Sequence, residues 1–425
     1  MKSRTLLLGG MLWAGMLFAQ APSGPAEPRT VRYGAGVELP PIDATKIAKR
    51  VVGLLEPAAG ERAVLVYDPT YYPELARAIQ AELDRAGVRP IIALTFETPE
   101  MVRGRGANLQ ELKKREEEFV QMLRPVFEKA DIFLWLPARE LSPDVRWERL
   151  LEASRARPDG IGARGIHFHW IFLVAGKSAE EIRTLSEMYQ RAILETDYRA
   201  LSREQDRLIA ALRGRDELGR GPAPYGAGQG QMVRITTPDG TDLKLRVPRD
   251  AWFHKNDGDS SRTRARQARS ARDREMEFPA GALRFIPDVR SVEGKLVVRR
   301  VATPGGVAEG VMLEFERGRV VRLRAEKNEA AFRAEWERIG GDIDKVGEIV
   351  LGTNPLLVAP VGGLPSGDLP YFGYGAGYVR VSLGDNWESG GTNRSPGSRP
   401  LWLFLERATV EAGGKDLIRE GKVVR

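Results

Sequence analysis

The chain has no cysteine and only three histidines in 425 residues. Without cysteine there are no disulfides, no thiolate metal centres and no lipobox anchor, so stability has to come from packing and charge. With so few imidazoles, any metal site is expected to draw on His167, His169 or His254. Past the first twenty or so residues, no apolar run approaches the roughly 20 residues of a membrane helix. Gly-x-Ser-x-Gly and the phosphate-loop and dinucleotide fingerprints are missing, which removes the serine-hydrolase, P-loop and Rossmann readings. The formal charge of +7 is mild at this length and implies no specific nucleic-acid partner.

At 42% hydrophobic, the chain can build two ordinary domains. Met1-Lys-Ser-Arg, an apolar run from Thr5 to Phe18 and Ala19-Gln20-Ala21 together form a secretory signal pattern (1–21). Cleavage near Ala21 would leave an exported protein, periplasmic or extracellular; a retained anchor is the alternative.

Residues 22–218 read as an α/β domain. Ile47–Leu55 has helical spacing, Arg62–Asp68 is strand-like, Tyr72–Ala86 is a helix ending at Gly87, and Pro90–Phe96 is a second strand. Strand, helix, strand implies a parallel sheet with right-handed crossovers, hence a doubly wound fold. Further helices are expected at Asn108–Lys129 and Ser178–Arg213, with strands at Asp131–Leu136 and His169–Val174. Gly219–Gly230 breaks regular structure and marks the linker. Residues 231–425 are strand-rich α+β. Alternating strands flank a Pro238-Asp-Gly turn, short strands recur at 283–286, 296–301, 310–315, 319–325 and 378–383, and one helix is expected at Glu329–Ile339.

Five stretches carry a resemblance in order and spacing: Arg234–Leu243, Phe278-Pro-Ala-Gly, Gly347-Glu-Ile with Gly352-Thr-Asn-Pro, Val381-Ser-Leu-Gly-Asp-Asn, and Ala408-Thr-Val. Together they resemble the aminopeptidase T family, sometimes called thermophilic metalloproteases. The resemblance implies a C-terminal domain of aminopeptidase T type, a homodimer, peptide substrates and two divalent ions (zinc, cobalt or manganese) that activate water. The implied ligands are two Glu, two His, a Tyr and an Asp. Carried over by position, they fall on Ala282, Glu348, Arg380, Trp387, Leu401 and Leu403, so only Glu348 remains as a metal ligand.

Ala, Leu and Trp cannot ligate, and a guanidinium about 4 Å from a divalent ion repels it by several kcal/mol. Arg380 is therefore expected to pair with Glu348, and no cofactor is expected. The functional expectation is a catalytically degenerate exported protein with a peptide-binding or structural role in the envelope. The alternative is an active metal-dependent aminopeptidase that recruits Asp385, Glu388 or Asp242.

Other candidates have plainer readings. His167 and His169, two apart, share a strand face where polar packing outweighs zinc binding. His254 is expected in a loop, solvated or in a turn contact. Tyr371, Phe372, Tyr374, Tyr378, Trp387 and Asp385 lie in a Gly- and aromatic-rich stretch that, by the resemblance, frames a cleft; core packing is the competing reading. Arg262, Arg264, Arg266, Arg269, Arg272 and Arg274 form a basic run that reads as a solvated loop or an anionic-surface contact.

Overall fold

A computed structural model describes residues 40–69, 71–95, 109–136, 150, 162–170, 178–214, 230–270, 272–303, 305–358, 373–395 and 400–424. The stretch read as a signal segment (1–21), most of the stretch read as a linker (219–230), Tyr371 and Phe372 lie outside the described residues.

The first half runs α1 (Ala44–Leu55), β1 (Ala63–Tyr67), α2 (Pro73–Arg85), β2 (Ile91–Thr95), α3 (Leu109–Phe127), β3 (Ile132–Trp135), β4 (Arg164–Phe168), α4 (Ala179–Leu194) and α5 (Tyr198–Leu212). Local chemistry fixes the helix starts. Asp43 Oδ1 accepts from Lys46 N at 2.9 Å, Pro73 opens α2, and Ser178 and Glu181 form a reciprocal capping box.

The single helix expected over 178–213 is two. Asp197 Oδ1 accepts from the amides of Arg199 and Ala200, starting a new helix where Thr196 turns its hydroxyl back onto Ala192 O. The strand expected from His169 lies earlier, at 164–168, because Ile166 and Phe168 supply its inward face; residues 171–174 are outside the described set.

The second half contributes β5 (Gln231–Thr236), β6 (Asp242–Val247), β7 (Phe253–Lys255), α6 (Arg262–Arg266), β8 (Glu275–Phe278), β9 (Ala282–Phe285), β10 (Asp288–Thr303), β11 (Gly306–Glu316), β12 (Arg319–Arg324) and α7 (Glu329–Ile339). It continues with β13 (Val346–Gly352), β14 (Val379–Leu383), β15 (Leu401–Leu405), β16 (Thr409–Ala412), β17 (Lys415–Arg419) and β18 (Lys422–Val423). The architecture is mixed α/β, a parallel-sheet half followed by a strand-rich antiparallel half, as the patterning implies.

Three sheets organise these strands. The parallel sheet has order β2-β1-β3-β4-β8, so its last strand comes from beyond the Gly-rich segment. An antiparallel sheet of eight strands runs β12-β11-β10-β6-β5-β16-β17-β18, and an antiparallel sheet of five runs β15-β14-β13-β9-β7. On β5 buried and exposed residues alternate, as on a sheet with one wet face, whereas every residue of β13 and β14 is buried.

The five-stranded sheet is thus covered on both sides. Ile349, Leu351, Leu283, Val381 and Leu403 face one hydrophobic core with the eight-stranded sheet, while Val350 and Ala282 face the core of the first half. The two halves are also pinned by polar contacts. Gln205 on α5 donates to Thr353 Oγ1 at 2.9 Å, and Asn354 Nδ2 donates to Ala280 O at 2.6 Å and Thr196 Oγ1 at 3.1 Å. The Gly352-Thr-Asn motif therefore works as a clasp between the halves.

Candidate functional site: a buried carboxylate–guanidinium cluster

Strand register decides which side chains meet. His254 lies opposite Arg284, Arg284 opposite Val350, Val350 opposite Arg380, and Arg380 opposite Phe404; two residues along, Glu348, Ser382 and Trp402 form the next row. Side chains alternate along strands, so these residues share the sheet face turned toward the first half. Ala282, opposite Gly352, is on that face too, but is wholly buried and brings no polar atom.

Leu401 and Leu403 are on the other face, in the core shared with the eight-stranded sheet. A strand position shifted by one residue changes face, and here the residues beside Arg380 are Trp402, whose ring lies 5.1 Å from the guanidinium, and Phe404.

Glu348 is the hub. Its Oε1 accepts from Arg380 Nη2 at 2.6 Å and from Arg284 Nη1 at 2.8 Å, and its Oε2 accepts from Ser389 Oγ at 3.2 Å. Glu277, on β8 of the parallel sheet, closes the cluster from above. Its Oε2 accepts from Arg284 Nη2 and, at 2.5 Å, from the Tyr374 hydroxyl; its Oε1 lies 3.4 Å from Arg272 Nη1 and 3.3 Å from His169 Nε2. Arg272 also reaches Glu275 Oε2 at 3.5 Å and Glu388. Glu275 Oε1 pairs with His167 Nδ1 at 2.9 Å, and His167 stacks on Trp135 with ring centroids 4.5 Å apart.

The electrostatics follow the contacts. Burial pushes the Glu348 carboxyl up, but Arg284, Arg380 and Arg272 outweigh it and hold it at about 2. Burial likewise opposes ionisation of Glu275, yet His167 and Arg272 bring it to about 2, and Glu277 sits well below the usual range because Arg284, His169 and Arg272 surround it. Burial and the neighbouring Arg284 lower Arg380 to about 10, so it is charged at neutral pH. His169, desolvated and beside His167, falls to about 3 and stays a neutral imidazole. Glu348, Glu275 and Glu277 are thus ionised, Arg380 charged and His169 neutral at pH 7, so these groups form an ion lattice.

The remaining candidates disperse. Trp387 lies on a 3-10 turn (Trp387–Ser389) and is half-buried; its amide donates to Asp385 Oδ1 at 3.1 Å. Asp385 also accepts from Ser395 N at 3.2 Å, so its carboxylate shapes the turn. Asp242 lies on β6 in the eight-stranded sheet, bonded by Arg234 at 2.7 and 2.8 Å. Tyr374 is 1% exposed, with its hydroxyl in the cluster rather than on an open groove, and Tyr378 is half-buried.

His254 is not in a solvated loop: it is on β7, fully buried, 3.5 Å from Asp273. The basic run splits. Arg264 pairs inward with Asp257 at 2.9 Å, Arg272 enters the cluster and Arg274 is half-buried, leaving Arg262, Arg266 and Arg269 exposed.

Sequence reasoning missed Glu275, Glu277, Arg284 and Ser389. The available signal was two-residue alternation in Glu275-Met-Glu-Phe and Ala282-Leu-Arg-Phe, which ordinarily marks a wet face. Here the opposite half covers that face.

The donor set does not fit a two-metal centre. Arg284 bridges Glu277 and Glu348, and Arg380 takes Glu348 as well, so lone pairs that would coordinate cations accept from guanidiniums. Among the described residues, no three His, Asp or Glu side chains come together with ligand geometry.

No family profile matches the sequence, and no curated protein matches it. Solved structures that share the fold include the following two. AmpT from Thermus thermophilus superposes with a TM-score of 0.60 at 19% identity, covering 90% of this chain and 98% of that one. The 2,5-dihydroxypyridine dioxygenase from Pseudomonas putida KT2440 superposes with a TM-score of 0.57 at 16% identity, covering 90% of this chain and 96% of that one. The chain thus has the peptidase-like fold of AmpT, a fold that also carries an unrelated oxidative activity.

Proposed function

We propose that this chain is an exported, non-hydrolytic protein on an aminopeptidase T-like fold, with a structural or binding role in the cell envelope. The observation that carries this reading is the chain of contacts Glu277–Arg284–Glu348–Arg380, which spends both inward carboxylates on guanidiniums. Hydrolysis through a two-metal centre needs cations that polarise the peptide carbonyl and generate hydroxide. Two permanent positive charges on Glu348 oppose them at that place.

The side chains that an active alternative would recruit have other work: Asp385 caps backbone amides, Asp242 pairs with Arg234, and Glu388 pairs with Arg272. Between the two roles, burial of Tyr374 favours a structural one for the old cleft over peptide binding. Assays with aminoacyl arylamides in the presence of zinc, cobalt or manganese are expected to give no cleavage above buffer. Metal-dependent cleavage that disappears in Glu348→Gln would refute the proposal.

A further inference from the structure

Exposure grades steeply through the cluster. The side chains of Arg380, Arg284 and Glu277 are 2%, 4% and 5% exposed, Glu348 10%, Arg272 16%, Glu275 18% and Glu388 34%. The solvent side of the lattice is therefore the Arg272–Glu388 pair. Its members stand on separate short turns. Arg272 opens a 3-10 turn running directly into β8 of the parallel sheet, and Glu388 is central in the 387–389 turn that follows β14 of the five-stranded sheet. A Cβ placed on Gly390 would lie 3.6 Å from Ser270 Cβ, so the turns touch. Directly behind Glu388, Ser389 is 4% exposed and donates to Glu348.

We infer that the Arg272–Glu388 pair is a latch that closes the buried cluster by tying the turn before β8 to the turn after β14. The pair is the outermost of the linked contacts and the one most screened by water, so it is the link that opens first. Arg272 keeps Glu275 and Glu277 when Glu388 leaves, so opening strands no buried charge. The 387–389 turn then moves as a unit, and Ser389 and Glu348 become reachable from solvent. This inference is independent of whether the centre binds metal.

The absence of native cysteine gives a clean assay. Ser389→Cys places a single thiol behind the latch, and its alkylation rate by iodoacetamide reports opening. Adding Glu388→Gln is expected to raise that rate about tenfold or more, the scale of one lost contact of ~1.4 kcal/mol. In a reference variant, Ser186→Cys, the thiol is packed in the first core near Tyr72 and Trp170, and its rate is expected to be unchanged. If Ser389→Cys does not fold, amide exchange at residues 348–351 with and without Glu388→Gln reads the same opening. Unchanged rates at both positions, or an equal rise at residue 186, would overturn the latch, the latter by revealing global loosening.

Discussion

Replacing Glu348 by Gln keeps the shape of the hub and deletes its charge. Arg284 retains Glu277, but Arg380, 2% exposed, loses the one carboxylate its guanidinium touches among the described residues. Breaking a buried pair from one side costs about 3–5 kcal/mol, because the surviving charge has no compensation. Folded proteins are stable by about 5–15 kcal/mol, so the variant is expected to fold with a much lower urea midpoint. Adding Arg380→Met removes the orphaned charge and offers an apolar chain to Trp402 and Phe404. The double variant is therefore expected to recover at least ~2 kcal/mol of the loss, while Arg380→Met alone is milder because Glu348 still has Arg284. Urea midpoints for the wild type and three variants, compared only where the slope is unchanged, give the coupling energy. A double variant that loses as much as the two singles added together would refute the idea that Glu348 and Arg380 compensate each other.

Acid is expected to destabilise the fold in two stages. His169 and His254 have folded pKa values depressed below 6.5 by burial, so they resist protonation and begin to cost stability as pH drops below 6.5. Glu348 and Glu275 are held at about 2 against a normal 4.5, so their contribution is present above pH 4.5 and lost as pH falls toward 2. Thermal midpoints from pH 7 to 2.5 check both limbs; a flat profile down to pH 4 would contradict the histidine part. Gly352→Ala would set a methyl 1.9 Å from Gly375 O and 2.4 Å from Gly373 O. It should cost about 1–3 kcal/mol and draw Tyr374 off Glu277, visible as a lower midpoint than for the exposed control Gly53→Ala. Tyr374→Phe removes a hydroxyl shared by two charged groups and should cost about 1.5–3 kcal/mol; a loss under 0.5 by urea denaturation would mean that the hydroxyl is not in the lattice.

Much of the fold was legible because local chemistry and global packing agree. Period-two alternation placed β5 and β6 and short parts of β10 and β11, whose full lengths (Asp288–Thr303 and Gly306–Glu316) exceed the expected 296–301 and 310–315, and helical spacing placed α1, α2 and α7 close to their ends. The site was legible only in outline. Glu348 and Arg380 were singled out on one residue's resemblance and another's departure from it, and strand pairing brings them to 2.6 Å. Arg284, Glu275 and Glu277 were invisible because a charged residue on an alternating strand reads as solvent-facing until a second sheet is known to cover it. Arg272 was hidden in a basic run whose members diverge one by one. Leu401 and Leu403 lie on the opposite face of β15 from the cluster, an outcome set by pairing with β14 and not by the segment's own sequence.

The most direct test of the central claim is a crystal structure grown in excess zinc, with an anomalous map calculated at the metal edge. Arg284 and Arg380 are expected at hydrogen-bond distance from Glu348, with no anomalous peak in contact with that carboxylate. A peak about 2.0–2.2 Å from Glu348, with Arg380 swung away, would contradict it.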